Sequence, residues 1–174
     1  MKRLSMLAVT TLSLLWLGVA LLVGDAVAQQ KSLNEQLIGT WKLVSADSVR
    51  TDGSTREAFG PHPKGVVIYT SDGHFALVLT RADLPKLASN RLDQGTPEEN
   101  KAVVQGSIAY FGTYAVNEAD KVITLQLEGS TFANLMGGTD QQRIITSLTA
   151  DELKFTNPAT PAGATLQLVW KRAK

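Results

Sequence analysis

The chain has 174 residues, 19% of them charged, a formal net charge of +1 and no cysteine. Near neutrality removes the basic footprint that nucleic acid or an anionic lipid surface calls for. Without thiols there is no disulfide framework, thiolate nucleophile, zinc–thiolate site or lipidated cysteine.

Lys2 and Arg3 precede an apolar, Leu-rich stretch from Leu4 to Val23, and Ala26, Val27 and Ala28 then supply the small residues a signal peptidase needs. The pattern predicts a signal peptide over residues 1–28 and one mature domain over 29–174, periplasmic or secreted. Its rival is an uncleaved anchor, because the stretch is long enough to span a bilayer. Cleavage leaves no stable membrane insertion, and Lys2, Arg3 and Asp25 leave with the signal, so the mature charges balance. A domain of about 146 residues buries enough apolar surface to stand without disulfides.

Ser32 to Ile38 has the composition of a single helical turn. From residue 40 to 50 side chains alternate, with Trp41, Leu43, Ser45 and Val49 on one face and Lys42, Val44, Ala46 and Ser48 on the other. The indole marks the inner face. Thr51 to Ser54 is a turn cluster, and a short strand follows near Arg56 to Phe59. Gly60 to Gly65, with two prolines and two glycines, is a loop.

Val66 to Thr70 and His74 to Thr80 are strands joined at Asp72–Gly73, a dipeptide that supplies the positive φ of a tight hairpin. Val67 and Tyr69 share a face, as do Phe75, Leu77 and Leu79. Arg81 to Gln94 is polar and loop-like. Thr96, Pro97 and Glu99 form a helix start, with a capping residue, a proline at the first helical position and a carboxylate three residues after the cap; Gly106 limits that helix.

Ala109 to Asn117 alternates Tyr110, Gly112, Tyr114 and Val116 against Phe111, Thr113 and Ala115. Lys121 to Glu128, Gln141 to Leu148, Glu152 to Thr156 and Thr165 to Arg172 continue a meander with turn residues between. The predicted fold is all-β, an antiparallel up-and-down β-barrel of eight to ten strands with one short helix, since closure removes the edges a meander exposes. Leu166, Leu168, Trp170 and Arg172 share one face of the last strand. That alternation predicts Arg172 over the Trp41 ring at the closed end, a structural contact worth about 0.5–2 kcal/mol.

Leu37 to Ser45, Asp52 with Gly53, Gly60 with Pro63 and Gly65, Tyr69 with Asp72, Gly73 and Arg81, Tyr110 with Gly112 and Tyr114, and Ser130 with Asn134, Gly138 and Arg143 stand in an order and spacing that resembles the lipocalin-like domain family, small bacterial and fungal proteins with a calycin-type barrel. The resemblance implies a barrel with a central cavity and assigns no activity. Family members often carry histidine in the strand before the Ser130 segment and proline before the asparagine; here Ile123 to Leu127 and Ala133 occupy those places, so chemistry based on such histidines is not implied.

Tyr69, Phe75, Leu77, Tyr110 and Tyr114 are the candidate cavity residues, because aromatic faces with polar tips suit a partly apolar ligand; packing of the interior by the same side chains is the alternative. Arg81 and Arg143 are candidates for a carboxylate head group, against a half-exposed arginine paired with a nearby acid. His62 and His74 lack a third ligand at metal-binding spacing, and Asp72 is explained by its turn. Ser130 and Asn134 sit in a segment expected to cross the barrel mouth, with no nucleophile elbow or triad order around the serine. The Arg81–Gln94 and Gly137 segments are the expected gates.

The expected function is an exported barrel that binds a small, mostly hydrophobic molecule, with no cofactor, no metal and no nucleic-acid partner. The rivals are a cavity enzyme (isomerase, cyclase or hydrolase) working through Tyr69, Tyr110 or Arg143, and a packed barrel that binds a protein through its outer surface.

Overall fold

The computed structural model describes residues 31–138, 141–158, 160 and 163–174; the predicted signal peptide lies outside them. Helix α1 (Leu33–Leu37) opens the described chain, closed by a capping box in which the Ser32 hydroxyl accepts from Glu35 N–H and the Glu35 carboxylate accepts from Ser32 N–H. Strands β1 (Gly39–Val49), β2 (Thr55–Glu57), β3 (Lys64–Tyr69) and β4 (His74–Thr80) follow. Helix α2 (Pro97–Gly106) leads into β5 (Ser107–Asn117) and β6 (Val122–Ser130), and a short 3-10 turn (Ala133–Leu135) into β7 (Gln141–Leu148), β8 (Glu152–Asn157) and β9 (Thr165–Arg172).

All neighbouring strands are antiparallel, in the order β2-β1-β3-β4-β5-β6-β7-β8-β9, and β1 from Trp41 to Val49 also pairs with the whole of β9. That last ladder closes a ring of eight strands; β2 adds only to the far half of β1. The Asp72–Gly73 hairpin forms as its sequence dictates, with Gly73 at φ +84°, and the helix at Thr96 starts with both halves of its capping box in place.

The phase of β1 differs from simple alternation. Leu43 pairs with Trp170 but Ser45 pairs with Val169, so Val44 is an extra residue, and a bulge re-aims everything after it. Ala46 and Ser48, placed on the outer face by the sequence reading, are therefore buried inside. Further bulges bend β5 against β6 after Phe111 and β7 against β8 after Ile145. These kinks give a sheet this short the curvature it needs to close.

Gly112 marks a close approach of β5 and β6. A Cβ there would lie 1.9 Å from the Gln126 carbonyl oxygen, which belongs to backbone and cannot swing aside. Outside the barrel, Ile68 on β3, Val78 on β4 and Phe111 on β5 are exposed apolar side chains.

Candidate functional site

The barrel interior has two unlike halves. At the end where β1 begins and β9 finishes, Trp41 is fully buried and its indole N–H donates to Leu37 O at 2.8 Å. The Arg172 guanidinium carbon stands 4.0 Å from the Trp41 ring centre, the contact that alternation of β9 predicts. The same guanidinium donates to the carbonyls of Gln36 (2.6 Å), Ile38 (2.9 Å) and Ala150 (2.6 Å). A cation thus meets the carbonyl end of α1, where the helix leaves acceptors without partners, and ties the helix across the barrel as a lid.

Above that lid lies a plug of rings. Tyr69 meets Phe75 at 6.3 Å and Tyr114 edge-on at 5.0 Å, and Phe75 meets Tyr110 edge-on at 6.0 Å. Phe155 stacks on Trp170 at 6.0 Å on the other wall; the Trp170 indole N–H has no acceptor among the described residues. Burial pushes the Tyr69 phenol well above its ordinary range, reinforced by the other phenols and opposed by Arg143. This group stays neutral and serves as packing. Tyr114 spends its hydroxyl on Thr70 O at 2.9 Å.

The opposite half is hollow. A cavity of about 220 Å³ opens between the far ends of β1, β4 and β8 and the near ends of β5, β7 and β9. Its walls are mostly carbon, from Phe59, Leu79, Ile108, Leu135, Leu166 and Leu168. Tyr110, Arg143 and Phe155 lie where the hollow meets the plug and form its floor. Ser48, Gln105, Gln141 and Asn157 add polar points around the walls.

Of the six sequence-predicted ligand residues, Tyr110 and Arg143 line the hollow; Tyr69, Phe75, Leu77 and Tyr114 pack in the plugged half instead. The cause is height along the barrel. Side chains on one face of β4 all point inward, but Phe75 and Leu77 lie on the plug side and Leu79, two residues on, reaches the hollow.

Arg143 faces inward from β7, opposite Ile123, and is 3% exposed. Its guanidinium donates to Gln142 O at 2.7 Å and to the Tyr110 hydroxyl at 3.2 Å. Neither Arg143 nor Arg56, the other charged wall residue, forms an ion pair among the described residues, and no described Asp or Glu lines the cavity.

Arg81 takes its alternative role. It forms a two-point bridge to Asp83 at 2.8 Å on the surface. His74 sits 3.3 Å from Asp72 in the exposed hairpin, and His62 lies in an exposed loop with φ +52°. Among the described residues no three His, Asp or Glu converge on a point. The Ser130 hydroxyl accepts from Phe132 N–H, as a turn serine does. Asn134 lies in the 3-10 turn, whose Leu135 reaches over the cavity.

The sequence reading did not single out Phe59, Ile108 and Gln105 as wall residues. Ile108 was detectable, since it shares a face with Tyr110. Phe59 and Gln105 reach the cavity from a loop and a helix, which carry no period-two signal.

Residues 38–173 match the lipocalin-like domain family. No curated protein matches. Among solved structures, a lipocalin-like protein from Bacteroides uniformis ATCC 8492 is similar at 12% identity and a TM-score of 0.43, covering 79% of this chain and 99% of its own. A redesigned β-barrel, mFAP1, bound to DFHBI, is similar at 18% identity and a TM-score of 0.40, covering 82% of this chain and 100% of its own. With a match across nearly all of its described residues, the chain belongs to the lipocalin-like domain family.

Proposed function

We propose that this protein binds one small, mostly apolar molecule in the hollow half of the barrel, and that it does so outside the cytoplasm after cleavage following Ala28. The observation that carries the reading is the division of the interior, in which a plug of interlocked rings stands below a carbon-walled cavity of about 220 Å³. A cavity of ~150 Å³ with similar walls holds benzene. By that scale this one takes roughly nine or ten non-hydrogen atoms, with anything longer extending through the mouth.

The size also sets the affinity. At ~0.5–0.7 kcal/mol per atom, ten atoms give ~5–7 kcal/mol, a Kd from about ten to a few hundred micromolar. Among the described residues the walls hold no Asp, Glu or His and no metal-binding cluster is present, which favours carriage or sensing over catalysis. No helix among the described residues is long and apolar enough to cross a membrane.

The test is a calorimetric titration with eight-carbon chains bearing a neutral, a negative or a positive head, on wild type and on Leu166→Trp. Leu166 faces the cavity from β9 and is half-buried, so an indole there occupies the space. One-to-one binding of at least one chain, lost in a Leu166→Trp protein that still melts cooperatively, is expected. Failure of every chain to bind, or binding unchanged in the variant, overturns the reading. N-terminal sequencing of the secreted or periplasmic protein tests the export half, and a chain that still begins at Met1 would contradict it.

A further inference from the structure

We propose that the cavity selects an organic monocarboxylate, its head seated on the Arg143 guanidinium and the Tyr110 hydroxyl at the floor and its apolar tail directed toward the mouth. This rests on the cavity-binding reading above and adds the chemistry of the head group.

An arginine that is only 3% exposed is costly unless charge and hydrogen bonds compensate it. Arg143 has five N–H donors, and two of them have acceptors, the Gln142 carbonyl and the Tyr110 phenol. Both acceptors are neutral. No described carboxylate pairs with it, and the wall's other charge, Arg56, has the same sign. Both charges among the described wall residues therefore favour an anion.

The geometry narrows the anion to a planar, two-oxygen one. A guanidinium presents parallel N–H groups that match a carboxylate edge. The Tyr110 oxygen accepts from Arg143 with its lone pair, which leaves its own O–H to donate to a second oxygen of the guest. The floor lies between the ring plug and walls made by Leu79, Ile108 and Leu168, so a bound head is shielded from water and its hydrogen bonds count for more than at a surface. A molecule with its charge at the floor and seven or so carbons above it fills the hollow.

The experiment compares octanoate with octanamide, the same chain with a neutral head of the same shape, by calorimetry on the wild-type protein and on Arg143→Met. Charge-assisted pairing makes octanoate roughly ten- to a hundredfold tighter in wild type, and Arg143→Met brings the two within about threefold while octanamide affinity holds. If wild type binds both equally, the head-group proposal falls and the cavity reading survives; if it binds neither, nor any other eight-carbon chain, both fall. Should Arg143→Met lose its cooperative melt, Tyr110→Phe decides: a severalfold loss for octanoate larger than that for octanamide supports the site, and equal losses overturn it.

Discussion

Replacement of Arg172 by methionine tests how the closed end is held. The substitution keeps an aliphatic stem against Trp41 but deletes the cation 4.0 Å from the ring and three hydrogen bonds, to the carbonyls of Gln36, Ile38 and Ala150. Hydrogen bonds from a charged donor are worth about 1.5–3 kcal/mol each. Because this end is only partly buried and the freed carbonyls can turn to water, about 1 kcal/mol apiece is the better figure, with about 1 more for the cation–π contact. The expected loss is therefore about 4 kcal/mol, or roughly 12 °C in Tm for a domain of this size. Arg172→Lys keeps the charge but cannot span three carbonyls, so it recovers less than half. Urea unfolding followed by circular dichroism and by tryptophan fluorescence reads both values. A loss below about 1 kcal/mol for methionine, or a lysine variant equal to wild type, would refute the idea that this side chain pins α1 across the barrel.

Gly112→Ala should cost about 3 kcal/mol or abolish soluble expression, because the new Cβ meets the Gln126 carbonyl at 1.9 Å; Gly138→Ala, whose nearest neighbour would be 3.8 Å away, should be silent in the same thermal melt. In the unliganded protein Arg143→Met should melt at or above wild type, since it removes a buried charge that has no counter-charge among the described residues; a clear fall in Tm would make the arginine structural. The Thr70 hydroxyl, and after it His74, hold the Asp72 carboxyl below its ordinary range. A carboxylate whose folded pKa is lowered stabilises above its unfolded pKa, and that stability is lost as the pH falls through the folded value. Asp72→Asn should then lower the urea midpoint at neutral pH, with the gap closing in strong acid; a gap that stays constant with pH would contradict this.

Local signals were legible where chemistry is local. The Thr96–Glu99 capping box, the Asp72–Gly73 turn and the inward face of β9 each depend on residues a few positions apart, and each forms as the sequence dictates. Other features depend on partners far away in the chain. The bulge at Val44 exists because β9 is paired alongside β1, so the placement of Ala46 and Ser48 could not follow from alternation alone.

The division between plug and hollow was hidden for a similar reason. Period two says which side chains point inward, but not how high along the barrel they lie, a quantity set by strand tilt and stagger. Tyr69 and Tyr110 carry the same chemistry and the same inward direction, yet one is packed and the other lines the cavity. Arg81 and Arg143 carry the same fork of donors, so residue type alone did not separate them; the structure puts Arg143 at the cavity floor and Arg81 in a surface bridge to Asp83.

The division of the barrel can be tested by methyl NMR on the protein saturated with octanoate, through nuclear Overhauser contacts between the alkyl chain and assigned methyl groups. The account predicts contacts from Leu79, Ile108, Leu166 and Leu168 and none from Leu37, Val67 or Ile123 in the plugged half. Contacts from Ile68 and Val78 on the outer face, or from the plugged half, would contradict it.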